Sequence, residues 1–206
     1  MGMAVSTMRS ICHLLLCIFF AAGRSGAGSP ESQPKSSDGV TLKARVFYDD
    51  TVKNKISVSG GTGTVEDRIK GVFQDMFQKV EEYLRNNSVA IKISLGKVTM
   101  DDQLAVIFNN METDSTMIDG DKTLAKLELR WRKQERKHKP VFYYFTMNKI
   151  LRQNSEADTP TDLLYLETRG TFCTSNARAA VVTFETGDNS YEFPAGVTAR
   201  MLGSTR

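Results

Sequence analysis

Eight apolar residues between Val65 and Leu84 recur at steps of three and four: Val65, Ile69, Val72, Phe73, Met76, Phe77, Val80 and Leu84. With about 3.6 residues per turn, that spacing lines them up as one continuous stripe along a helix of roughly twenty residues. A stripe this long has to be buried, so any fold open to the chain must supply an apolar layer to receive it. Thr64 stands where the helix needs a cap, and Asp67, three residues on, acts in the sense of a capping box. The two Phe and the Met of the stripe are core residues on this reading, not a ligand box.

The flanking sequence supplies that layer. "TLKARVFYDD" places Leu42, Ala44, Val46 and Tyr48 at period two, the mark of a strand, and Asp49-Asp50 ends it. Beyond the helix and an "NNS" turn, "VAIKISLGKV" alternates Val89, Ile91, Ile93 and Leu95 with more polar residues. Strand, long helix, strand outlines a βαβ unit, with a helix on at least one face of a sheet. The glycine-rich "SVSGGTGT" between them lacks the Lys-Ser/Thr ending of a phosphate-binding loop. Residues 98–118 carry scattered apolar groups and receive no element. From about Asp121, Leu124, Leu127 and Trp131 predict a second helix, with a basic end and Pro140 to stop it. "VFYYFTM" (Val141 to Met147) reads as a buried central strand, "RQNSEADTPTD" as a loop, and "LLYLETRG" and "ARAAVVTFETG" as further strands. The sum is α/β: a mixed sheet of about five strands with two long helices, then a short segment that begins a third.

The start of the chain needs a separate account. Arg9 precedes the apolar run Ile11 to Ala22, and small residues follow around Ser25-Gly26-Ala27. That is the layout of a secretory signal peptide, and twelve residues are too few to cross a bilayer. The predicted organisation is a signal peptide at 1–27, a flexible Ser-, Pro- and Gly-rich mature N-terminus at 28–40, and one domain at 41–206. The expected product is secreted and extracellular, with no membrane attachment after cleavage. The chain holds 27 basic and 24 acidic residues, and setting aside Arg9 and Arg24 leaves 25 against 24. A near-neutral domain has no general pull toward nucleic acid. "RWRKQERKHK" (Arg130 to Lys139) is a local exception, open to two readings: a heparin- or phosphate-like patch, or a solvated helix end whose positive charge suits a C-terminus. Cys12 and Cys17 leave with the signal peptide, so Cys173 is alone among residues 28–206, and a leftover cysteine in a secreted protein points to an intermolecular partner or a missing intramolecular one. Asn86-Asn87-Ser88 is an acceptor for N-glycosylation at Asn86 in a secreted chain.

The order of elements, together with "GTFCTSNARAAVVTFETGDNSYEFPAGVTARMLG", resembles the upper half of the catalytic domain of reprolysin- or ADAM-like (M12B-type) metzincin metalloproteases, most closely the secreted salivary kind of ticks. The resemblance runs over about residues 41–206 and is sharpest from Gly170 onward. It implies a metzincin-like upper subdomain and, in the family, zinc-dependent cleavage of extracellular proteins by a helix opening Ala-His-Glu-Leu-Gly-His. Here that window reads Ala199-Arg200-Met201-Leu202-Gly203-Ser204. Arg200 therefore stands for the first zinc histidine, Met201 for the catalytic glutamate and Ser204 for the second histidine. The third histidine, the methionine turn and the lower subdomain would lie beyond Arg206, so the resemblance describes a domain truncated within its zinc-binding helix. The partner that the family gives the cysteine at Cys173 would lie there too, which implies an unpaired thiol.

Two histidines at i and i+4 reach one metal from one side of a helix, and a neighbouring glutamate takes a proton from the metal-bound water. An arginine is always charged and has no lone pair to give, serine is a poor zinc ligand, and a thioether is no base. His138 reads as a solvated residue beside the basic run. The expectation is thus a metalloprotease-family chain with no catalytic, cofactor or metal residues of its own. Two alternatives stay open: a binding or decoy module acting on a host or extracellular protein through Arg130–Lys139 and an edge near Leu163–Leu166, or a fragment of a full-length active zinc protease. The last helix is expected to end after one or two turns, to fray over Thr198–Arg206, and to leave apolar surface uncovered.

Overall fold

The computed structural model describes residues 40–59, 62–108, 116–134, 140–152, 161–172 and 174–205. The expected signal peptide, the N-terminal segment up to Gly39, His138 and Cys173 lie outside the described residues. The mixed α/β architecture expected from the pattern is the one observed, and the main sheet has five strands.

β1 (Val40–Tyr48), β2 (Ile91–Met100), β5 (Val141–Thr146) and β9 (Ala179–Thr183) run parallel, and β8 (Tyr165–Glu167) closes one edge antiparallel to β9, in the order β2-β1-β5-β9-β8. The long helix α2 (Val65–Asn86) crosses from β1 to β2, and α3 (Gly120–Arg132) lies on the path from β2 to β5. Those two crossovers move in opposite directions along the sheet. Because each is right-handed by strong preference, their helices fall on opposite faces. The core divides accordingly: Phe73, Met76, Phe77 and Val80 of α2 pack on Ala44, Val46, Tyr143 and Phe145, while Leu124, Leu127 and Trp131 of α3 pack on Phe47, Phe142 and Tyr144. Every residue of β5 is buried, as a central strand covered on both faces requires.

Capping follows the sequence. Thr64 Oγ1 accepts from the Asp67 amide at 3.1 Å and donates to the Asp67 carboxylate at 2.8 Å. Asp119 caps α3 by accepting from the Lys122 amide, and this helix ends at Arg132, short of the proline expected to stop it.

Three features depart from the pattern-based reading. A nine-residue helix, α1 (Asp50–Val58), follows β1 directly; Asp49 caps it, and Val52 and Ile56, one turn apart, are its buried pair. Residues 98–118, left without an element, end β2 and supply β3 (Ile107–Phe108) and β4 (Met117–Asp119), which join β6 (Lys149–Arg152) and β7 (Thr161–Leu163) in a small second sheet. "LLYLETRG" is therefore split: Leu163 ends β7 in the small sheet, and Tyr165 begins β8 in the main one. Gly120, at the start of α3, lies so close to β6 that a Cβ there would stand 2.7 Å from Ile150 Cγ2.

Candidate functional site

The helix at the resembled zinc position, α4 (Glu192–Met201), has ten residues and begins well before Thr198. Glu192 in its first turn and Arg200 in its last suit the helix dipole, and Pro194 sits where its missing N–H costs no helical bond. The helix packs beside α2 on the same face of the sheet through Ala195, Val197 and Met201. Thr198 is buried; its hydroxyl donates to the Pro194 carbonyl at 2.6 Å and meets the Tyr143 hydroxyl at 2.8 Å. Burial pushes the Tyr143 phenol well above its ordinary value, against a lowering effect of that hydrogen bond.

The expected fraying is corrected by the way α4 closes. The Ser204 amide donates to the Ala199 carbonyl and the Gly203 amide to the Arg200 carbonyl, both at 3.0 Å, with Gly203 at φ +104°. These are the two bonds of a Schellman motif. The Leu202 amide takes the Thr198 carbonyl, while Gly170 and Phe172 donate to the carbonyls of Arg200 and Met201. Three of the four carbonyls that a helix normally leaves unpaired, those of Ala199, Arg200 and Met201, therefore have donors.

The Arg200 guanidinium lies 4.4 Å from the centre of the Tyr165 ring, and its Nε is 3.1 Å from Glu167 Oε1, off the hydrogen-bonding axis. Glu167, with a side chain only 3% exposed, also accepts from Arg169 Nε at 3.1 Å. Met201 is 1% exposed and belongs to the core. Ser204 is exposed and lies past the left-handed Gly203, so it does not sit one helical turn above Arg200. This donor set does not fit zinc: the guanidinium has no lone pair and is paired with Glu167, the thioether is packed in the core, and the serine lies past the end of the helix. Among the described residues no group of three His, Cys, Asp or Glu is placed to hold a metal ion.

Glu167 is the site residue that pattern reading missed. Its sequence signal was weak, a Glu two residues before Arg169, and its pairing with Arg200 exists only once β8 and α4 meet. A second buried carboxylate, Asp49, sits where β1 and β5 end, the side on which parallel sheets bind ligands. It accepts from Thr51, Thr146 and Tyr144 hydroxyls, the Val52 amide and the Asn148 side chain. Its lone pairs are thus occupied from within the fold, and burial, followed by the Asp49 charge, raises the Tyr144 phenol far above its ordinary value.

In the basic run, Arg130 pairs with Asp101 and Arg132 with Glu128, while residues 135–139 lie outside the described ones. Asn86 is the last residue of α2 and is exposed.

No family model matches the chain, and no curated protein does. Among solved structures, a protein described as a chaperone–substrate complex superposes with a TM-score of 0.47 at 9% identity, over 82% of this chain and 27% of that one. Archaemetzincin from Methanopyrus kandleri superposes with a TM-score of 0.35 at 11% identity, over 74% of this chain and 65% of that one. The chain thus spans about a quarter of the first protein and under two thirds of the second. Superpositions this loose carry no site and no reaction from either protein to this chain.

Proposed function

We propose that this is a secreted protein of metzincin metalloprotease type that has no hydrolytic centre of its own and works by holding an extracellular protein. The observation that supports the reading is the engagement of Arg200. A guanidinium stacked on Tyr165 and paired with a buried Glu167 is a structural residue, and it occupies the position where the resembled family binds its metal. Met201 in the core leaves no base beside it. A surface for holding a protein is offered by β8, which has no partner on its outer side among the described residues. Leu164 beside it is 54% exposed, and an unpaired strand edge can add an extended segment of another chain.

Incubation of the purified protein with casein or fibrinogen, with zinc added, is expected to give no cleavage; chelator-sensitive cleavage would overturn the reading. Expression in a secreting eukaryotic cell is expected to release a product beginning near Gly28 and carrying glycan at Asn86. Retention in the cell, or a mass unchanged by Asn86→Gln, would contradict the secreted, glycosylated form.

A further inference from the structure

We infer that the open face of the β1–β2 ladder, built around Lys43, Arg45, Lys92 and Lys97, is a binding surface for a linear sulfated glycan. The surface lies on the α3 side of the sheet and stands apart from the α4 site. α3 packs over β5, β8 and β9, and the turn carrying Leu104 covers Phe47 near the far end of β1. The described residues leave the first halves of β1 and β2 uncovered on this face: Thr41, Lys43, Lys92, Ser94 and Lys97 are all exposed.

The register brings the charges together. Thr41 pairs with Lys92 and Lys43 with Ser94, so Lys43 and Lys92 point to the same side on neighbouring strands. Between the Ala44–Leu95 and Val46–Val98 pairs, β2 carries one extra residue, so Gly96 and Lys97 together face Arg45. This bulge needs its glycine: a Cβ at Gly96 would stand 3.0 Å from the Ala44 carbonyl and 3.3 Å from Lys43 Cε. The Lys43 stem thus passes close over Gly96. Arg45 is held by Gln134 Oε1, which accepts from it at 3.0 Å, and its guanidinium lies 5.4 and 5.6 Å from the centres of the Phe47 and Phe142 rings. Neither strand contains an Asp or Glu anywhere in its length, so the ladder has no carboxylate of its own to neutralise it. Residues 28–206 as a whole are almost balanced in charge, so the positive field here comes from placement, not from composition.

Strand spacing of about 4.8 Å across the ladder and about 6.8 Å between alternate residues along it sets these cations close enough together to meet one polyanionic chain. The nature of that polyanion follows from the aromatic residues. Protein surfaces that bind single-stranded nucleic acid offer exposed rings for bases to stack on, whereas Phe47, Phe142 and Trp131 on this face are buried. A ladder of point charges without a stacking platform suits a sulfated sugar chain. The strand edge itself is closed to another strand by the bulge and by Glu81, which accepts from the Ile93 amide at 2.8 Å, so a ligand meets the face and not the edge.

Retention of the full chain on immobilised heparin tests this. The protein is expected to elute above about 0.15 M salt, and the Lys43→Gln, Lys92→Gln double variant below it, with the slope of log affinity against log salt reduced by about one per lysine. Lys43→Arg, Lys92→Arg is expected to keep the wild-type elution, which separates lost charge from lost folding. The same charge removed elsewhere, by Lys79→Gln with Lys149→Gln, is expected to change nothing. Unchanged elution of the ladder variant, or loss on changing Arg136 and Lys137 alone, would overturn the assignment. Displacement by an oligothymidylate as readily as by heparin of equal charge would overturn the choice of glycan.

Discussion

Arg200 decides most of what can be said about chemistry in this chain. Its guanidinium and Glu167 form a largely buried pair, and such pairs are costly to break from one side because the other charge is stranded. Arg200→Met is therefore expected to cost about 2 kcal/mol in denaturant unfolding, softened because Arg169 still reaches Glu167. Adding Glu167→Gln should recover part of that loss, and strict additivity of the two would refute the coupling. Thr198→Val leaves the buried Tyr143 hydroxyl without its partner and is expected to cost roughly 1–3 kcal/mol. Neither Glu167 nor Thr198 could be picked out from the sequence, because their partners lie 33 and 55 residues away and meet them only through the sheet. What Arg200, Met201 and Ser204 can offer a metal was legible at once, since metal chemistry depends on residue type before it depends on position.

Elements with a long period were the ones that the sequence revealed. α2 repeats its pattern over six turns, and β5 is apolar throughout, so each declares its environment without help. α1 was missed because its signal is only Asp49 with Val52 and Ile56, too short to outweigh the Lys-Asn-Lys between them. β3, β4, β6 and β7 are two to four residues long and exist because they pair with one another, as Ile118 does with Ile150. The terminal helix was judged short because the resembled zinc-binding helix opens at Ala199; its real start at Glu192 carries no capping side chain to mark it, and its closure depends on donors from 170–172. Gly203→Ala forces a side chain into the left-handed region and is expected to lower stability by about 1 kcal/mol. At α3, burial alone would raise the Asp119 carboxyl, but the hydrogen bonds and charge of Lys122 hold it below its ordinary value. A depressed folded-state pKa gives stability that is present above the unfolded value near 3.9 and is lost as pH falls through the folded one. Asp119→Ala should thus cost about 1 kcal/mol at neutral pH, and that cost should shrink in acid. An equal cost at both pH values would contradict the capping charge.

For the whole molecule, one sheet separates two apolar layers, and both depend on the aromatic strand β5. Phe77 packs edge-on against Tyr143 at 4.9 Å between centres, and Phe77→Ala is expected to cost about 3–5 kcal/mol through the cavity left behind. Tyr143 and Tyr144 face opposite layers, and both hold their protons far above the usual range. Since those pKa values are raised by folding, the associated stability is complete below about pH 10 and declines as pH rises further. Absorbance titration should find these phenols silent until the protein unfolds. The proposed absence of a hydrolytic centre turns on metal: Arg200 and Met201, at the resembled zinc positions, are engaged by the fold and offer zinc no fitting ligand. Elemental analysis of the purified protein after equilibration with zinc and removal of loosely held ion is expected to find far less than one zinc per molecule, unchanged in Arg200→Met. One tightly held zinc per molecule, lost on changing residues of α4, would contradict it.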